Sequence, residues 1–115
     1  MPEGERLCYT TRMGTAVPGA SVRLLEEVAR GDSDSFARFY DLHAGLVHTF
    51  ALRILRERGE AEEVVQDVFL QVWRQAGAYS ADRGTPEAWL ITLVRSRGID
   101  KLRSRRRRNE MARPA

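Results

Sequence analysis

One stretch, Ala61 to Trp73 (AEEVVQDVFLQVW), constrains this chain more than any other. Val65, Val68, Phe69, Val72 and Ala76 recur at spacings of three and four. On a helix they form one apolar stripe that must face a core. Glu63, Gln66, Asp67, Leu70 and Arg74 recur with the same spacing on the other side. A solvated face normally mixes charges of both signs and omits a large aliphatic residue. Two acids, an amide and a Leu in one stripe therefore favour a partner-binding surface. The alternative is a charged helix face with one ordinary exposed Leu.

The flanking chain is helical in pattern too. Ser21 is a candidate cap for a short helix over Val22 to Ala29, ended by Gly31. Asp32 or Ser33 caps a second helix whose buried candidates are Phe36, Phe39, Tyr40 and Leu42. His43-Ala44-Gly45 predicts a break or bend, after which Leu46, Val47, Phe50, Ala51, Ile54 and Leu55 continue the pattern to about Arg56. Arg58-Gly59 reads as a turn with Gly59 in a left-handed C-cap, and the central helix then runs to about Ala76. Gly77 to Gly84 is a loop. Thr85-Pro86-Glu87 is a strong helix start: a capping hydroxyl, a proline at the first position and an acid near the positive end of the dipole. The last helix runs to Arg103 or beyond. Its apolar arc holds Leu90, Ile91, Val94, Gly98, Ile99 and Leu102, and its other side Trp89, Thr92, Ser96, Asp100 and Arg103. Gly98 lies where a missing side chain admits a close neighbour. Strand-like alternation and internal repeats are absent from the sequence. The expected fold is all-α, a compact bundle of four or five helices with short connections. It occupies residues 21–108, preceded by a flexible segment over 1–20, in which Met13 is a second candidate start.

Charge is distributed unevenly. Arg95 to Arg108 holds eight basic residues and one acid, a local +7. With +3 for the whole chain, the rest carries −4. An acidic body with a basic end suggests one surface for an anion such as nucleic acid and another for a different partner. The longest apolar patch, Trp89 to Val94, is far too short to span a membrane, and the first ten residues lack the apolar run of a secretory signal. Cys8 is the only cysteine, so no intrachain disulfide can form and a reducing cytoplasm is the expected compartment. With Cys8, only His43 and His48 are available as soft ligands, five residues apart and on different helix faces. No metal site and no cofactor are expected. Phosphate loops, HExxH and GxSxG are absent, and no nucleophile has a nearby base. The chain does not read as an enzyme.

Several of these residues together carry a family resemblance. Gly31-Asp32-x-x-x-Phe36-x-x-x-Tyr40, the AEEVVQDVFLQVW segment, Ala88-Trp89-Leu90 and RSRGIDKLR (Arg95 to Arg103) resemble region 2 of bacterial RNA polymerase sigma factors. They are most similar to the extracytoplasmic-function subgroup of the sigma-70 family. The similarity runs from Gly31 to about Arg108 in order and spacing. Such factors carry a second helical domain with a helix-turn-helix. This chain ends at Ala115, so it reads as an isolated first domain or a fragment whose linker begins near Asn109. Ser96 stands where the family often has Asn.

The resemblance implies a domain that binds core RNA polymerase and recognises and melts the promoter minus-ten element. Glu63, Gln66, Asp67 and Leu70 are then expected to dock onto a helical coiled coil of the polymerase clamp. Tyr79, in the loop, and Trp89 are candidates for stacking on unstacked bases of partly single-stranded promoter DNA. For Trp89 the alternative is a ring packed beneath the loop. Arg83 and Thr85 are candidates for backbone or base-edge contacts, beside a helix N-terminus that favours an anion. Arg95, Arg97 and Lys101 point to different sides of the last helix, so at most two can share one DNA surface. The run Arg105 to Arg108 reads as a nonspecific phosphate clamp or a tail. The resemblance also implies an anti-sigma factor on overlapping surface. Two rival readings are a stand-alone helical DNA-binding regulator, for which the Gly77 to Gly84 connection is too long, and a protein-interaction module with a basic tail.

Overall fold

Local capping sets most of the helix boundaries. The computed structural model describes residues 19–80, 82 and 84–112, and contains helices α1 (Ala20–Ala29), α2 (Ser33–Leu55), α3 (Arg58–Gln75) and α4 (Pro86–Ala112), with a 3-10 turn over Ala76–Ala78. Asp32 caps α2: one carboxylate oxygen accepts from the backbone N–H groups of Asp34 at 3.0 Å and Ser35 at 3.2 Å. These bonds, foremost that from Ser35, hold the Asp32 carboxyl below its ordinary pKa. Thr85 caps α4 by accepting from the Ala88 N–H at 3.1 Å, with Pro86 in the first turn. Ser21 does not cap α1. Gly19, with φ 86°, precedes that helix and Ser21 lies inside it.

Two expected boundaries are corrected. No break occurs at His43-Ala44-Gly45, because α2 is continuous over 23 residues. Phe39, His43, Val47, Ala51 and Leu55 recur every four residues and are all buried. Burial along that unbroken stripe outweighs the helix penalty of one glycine, about 1 kcal/mol. Gly59 is not a left-handed C-cap either. Arg56 takes that conformation (φ 56°), and Glu57 starts α3 by accepting from the Gly59 and Glu60 N–H groups. Arg58 and Gly59 therefore belong to the first turn of α3.

α2 lies at the centre and packs against α1, α3 and α4, while α3 and α4 also pack together. The shared core is Leu25 and Val28 of α1, the α2 stripe, Ala61, Val64, Val65, Val68, Phe69 and Val72 of α3, and Leu90, Leu93 and Val94 of α4. Where α4 crosses α2 the approach is close: a Cβ on Gly98 would lie 3.0 Å from Ile54 Cγ2, so the Ile54 side chain would have to give way by a few tenths of an ångström. This all-α bundle positions the polar stripe of α3 and the basic length of α4 side by side.

Of the four buried candidates in the first half of α2, only Phe39 is fully buried. Phe36 is half-buried, and Tyr40 and Leu42 are exposed. Ile99, expected inside, is exposed as well. Among the described residues no helix is long and apolar enough to cross a membrane.

Candidate protein and nucleic-acid interfaces

The second stripe of α3 emerges as read from its periodicity. Glu63, Gln66, Asp67, Leu70 and Arg74 are all exposed, Leu70 to 46%. The stripe continues along α3 and onto α2. Trp73, one turn beyond Leu70, is 39% exposed and meets Phe36 of α2 edge-on, with ring centroids 5.3 Å apart. Tyr40 of α2 lies over Phe69 at 4.7 Å and is 41% exposed. The face is therefore a Leu and two half-exposed aromatic rings bordered by Gln66 and Asp67. That is the composition of a small protein-binding hot spot, with apolar anchors inside a polar rim. Trp73 and Tyr40 are additions that periodicity did not single out. The aromatic type combined with a position next to the Leu70 stripe is the signal that was available.

On its other flank the same helix meets the basic run. Arg97 donates from Nε to Gln71 Oε1 at 3.0 Å. Lys101 pairs with Glu63. Arg105 donates to the Leu55 carbonyl at 3.0 Å and to Glu60, and Arg108 lies 3.5 Å from the other Glu60 oxygen. These four cations repeat at spacings of four, four and three, so they form one stripe of α4 turned toward α3. Glu60 is only 17% exposed, and the Arg105 guanidinium holds its carboxyl below the usual range. Arg105 thus fastens the α2–α3 turn at its two polar ends, the last carbonyl of α2 and the first turn of α3. Expected as part of a phosphate clamp, Arg105 is engaged inside the molecule.

The opposite side of α4 is different. Arg95, Arg103 and Arg106 are exposed and form no ion pair with another described residue. They share that side with Thr92, Ser96 and Ile99 at helical spacing. The structure thus separates Arg95 from Arg97 and Lys101. It puts Arg103 and Arg106, which sequence reasoning had not selected as contacts, beside Arg95.

At the N-terminal end of α4, Tyr79 and Trp89 form a tilted ring pair with centroids 5.6 Å apart, and both are half-buried against the core. The Tyr79 hydroxyl donates to the Gly84 carbonyl at 2.7 Å. Burial, and then the nearby Glu87 carboxylate, raise its pKa. The Thr85 oxygen is engaged as the helix cap. Arg83 lies outside the described residues.

Beneath this end sits His43, buried in α2. Its Nε2 is 2.9 Å from Ser21 Oγ of α1, and its Nδ1 is 3.9 Å from Glu87 Oε2 of α4. Glu87 favours the proton on Nδ1, which leaves Nε2 to accept from the serine hydroxyl. Burial pushes the His43 pKa down, and Glu87 opposes this only partly. His43 is a tie between three helices. No set of three His, Cys, Asp or Glu able to hold a metal is found among the described residues.

Comparison with known proteins places this geometry. Residues 39–108 match the family described as Sigma-70 region 2, a span that includes all of α3 and α4 as far as Arg108. The chain is 42% identical over 93 residues to an ECF RNA polymerase sigma factor SigK of Mycobacterium ulcerans (strain Agy99), covering 78% of this chain and 50% of that protein. To the SigK factor of Mycobacterium sp. (strain KMS) it is 47% identical over 81 residues, 70% of this chain and 42% of the relative. To that of Mycobacterium bovis (strain BCG / Pasteur 1173P2) it is 37% identical over 87 residues, 76% and 46% respectively. The chain spans half or less of the length of these curated relatives. With an acidic and apolar face on α3, an arginine stripe on α4 and a match across both, the chain belongs to the Sigma-70 region 2 family, in its extracytoplasmic-function branch.

Proposed function

We propose that this domain serves transcription initiation. The α3 face binds core RNA polymerase, and α4 with the preceding loop recognises and melts the promoter minus-ten element. One observation carries the reading. Within a sigma-70 region 2 domain, α3 exposes Leu70 flanked by Gln66 and Asp67, and α4 exposes on a separate side an arginine stripe that forms no ion pair with another described residue. The helical coiled coil of the polymerase clamp is the partner assigned to Glu63, Gln66, Asp67 and Leu70. Trp73 and Tyr40 extend that surface. The test is binding of purified core polymerase to the chain and to Asp67→Arg. The variant should bind core at least about fivefold more weakly, as for loss of roughly 1 kcal/mol at a hot spot, with unchanged helical content and melting temperature. Wild-type affinity would remove the assignment.

For DNA, Arg95, Arg103 and Arg106 are assigned to phosphates, and Tyr79, Trp89 and the loop around Arg83 and Thr85 to unstacked bases of the non-template strand. Substitutions in the loop should change which minus-ten sequence is preferred with little effect on salt dependence. Substitutions in the arginine stripe should weaken all DNA alike. The whole factor is assigned to the cytoplasm, with an anti-sigma factor competing for the α3 face. A pull-down from the native host that recovers polymerase but no dedicated inhibitor would count against that competitor.

A further inference from the structure

Arg53 is the one Lys or Arg in the second half of α2, and no carboxylate lies between Asp41 and the end of that helix at Leu55. Arg53 is exposed and forms no ion pair with another described residue. The alignment of α2 with α4 decides where it stands. His43 lies against Glu87 and Ile54 against Gly98, with the same sequence offset, so the two helices run parallel and in step. By that offset Arg53 stands at a height between Arg95 and Ile99. Its neighbours fix the edge. Phe50 and Ile54, three residues before it and one after, are partly buried, and Ile54 packs onto α4. Tyr40, which lies over Phe69, and Leu52 on the same stripe mark the opposite edge, toward α3. Arg53 therefore lines the outer rim of the α2–α4 seam. On α4 that rim holds Arg95, Ile99 and Arg106, because Arg97 and Lys101 mark the edge toward α3.

We propose that Arg53 is a further phosphate-binding residue, and that with Arg95 and Arg106 it forms a cationic face across two helices that holds duplex DNA. The inference rests on the reading of α4 as a DNA surface and extends that surface to α2. Its shape selects the duplex. From Arg95 to Arg106 is roughly 16 Å along α4. Arg53 is displaced sideways by about the 8–10 Å that separates packed helix axes. The patch therefore has width as well as length. A duplex presents the phosphates of two strands side by side and fills such a patch. A single strand follows one track and gains affinity by stacking its bases on aromatic rings. The rim offers no such platform: Ile99 and Thr49 lie among its cations, and its ring, Phe50, packs against the core. The rings suited to unstacked bases, Tyr79 and Trp89, lie at the far, N-terminal end of α4. The long run of α2 without a carboxylate leaves nothing on that side to repel a phosphate.

The test is fluorescence anisotropy on the full chain with a labelled duplex and one of its single strands, each titrated at several salt concentrations. Arg53→Gln should weaken duplex binding about three- to tenfold at 0.1 M salt and lower the log–log salt slope by about 0.9, one duplex phosphate contact. Binding of the single strand should change by less than about twofold. Arg53→Lys should keep the wild-type slope. Arg23→Gln removes an equal charge from an exposed position on α1 and should leave duplex affinity within about twofold of wild type. An unchanged urea midpoint for Arg53→Gln would place its effect in binding and not in the fold. The inference is overturned if Arg53→Gln keeps the wild-type duplex affinity and slope, if Arg23→Gln matches its effect, or if the single strand is weakened equally. With Arg95→Gln still weakening the duplex, the reading of α4 stands in those cases and only the extension to α2 falls. If neither wild type nor any variant shows salt-dependent duplex binding, the reading of α4 falls, and the inference with it.

Discussion

Two stripes of one helix carry the same residue types and meet opposite fates. On α4, Arg97, Lys101, Arg105 and Arg108 turn toward α3 and are each engaged by Gln71, Glu63 or Glu60. Arg95, Arg103 and Arg106 turn outward and meet no such partner among the described residues. In sequence the two sets interleave and form one basic run. The difference is that α3 offers carboxylates and an amide at the matching spacing along only one side of α4. A basic run is therefore not one surface: part of it holds the fold together, and the remainder is available to an anion.

The largest expected effect tests the outward stripe. Replacing Arg95, Arg103 and Arg106 with Gln should weaken single-stranded DNA binding roughly hundredfold at 0.1 M salt and lower the log–log salt slope by about 2. Unfolding by urea should be nearly unchanged. If the triple variant unfolds more easily while still binding DNA, the two stripes have been assigned the wrong way round.

Next in size is Gly98→Ala, which acts on the register that separates the stripes. The new methyl would meet Ile54 at the α2–α4 crossing, and overpacking of this kind costs about 1–3 kcal/mol. We expect a lower urea midpoint. An unchanged midpoint would mean that the crossing can relax freely.

Arg105→Met tests the inward stripe directly. It removes the donor to the Leu55 carbonyl and to Glu60. The urea midpoint should fall by more than for any single outward arginine, with no matching loss of DNA affinity. Equal effects on both measurements would break the distinction.

The smallest effects are in pH dependence, where the two ends of α4 should separate. The Glu60 carboxyl is held below its ordinary value near 4.5, chiefly by the bond from Arg105. Its contribution is present above that value and lost as pH falls through the depressed pKa. Glu60→Gln or Arg105→Met should flatten this acid limb. His43 is likewise depressed from its ordinary value near 6.5, but by burial. The unfolded chain then binds the proton first, so stability is full above about 6.5 and declines as pH falls below it. His43→Gln should remove that shallow decline and leave the limb due to Glu60. Urea midpoints measured between pH 3 and pH 8 report both.

What the sequence by itself determined lies within about one turn of each residue. Asp32 and Thr85-Pro86 start their helices because a short acceptor or a fixed proline φ acts on backbone groups two or three positions away. The apolar stripe of α3 is buried and its Leu70 stripe exposed because helical periodicity alone separates them. Gly98 was legible as a close approach for the same reason, since it interrupts an otherwise apolar arc. Gly45 misled because the local penalty of a glycine is visible in sequence. The burial of Phe39, His43, Val47, Ala51 and Leu55 on both sides of it exists only once α1, α3 and α4 close over α2. Arg56 could not be foreseen in a left-handed cap, because the turn is stapled from fifty residues away by Arg105. Tyr40 was expected in the core and proved half-exposed, and Trp73 was not singled out at all, because the edge of the α2–α3 contact passes through both. Most of all, tertiary structure decided which cations are free. Charge is a property of a residue, but its availability depends on the angle and register at which a second helix presents its carboxylates, and those are set by core packing between segments far apart in the chain.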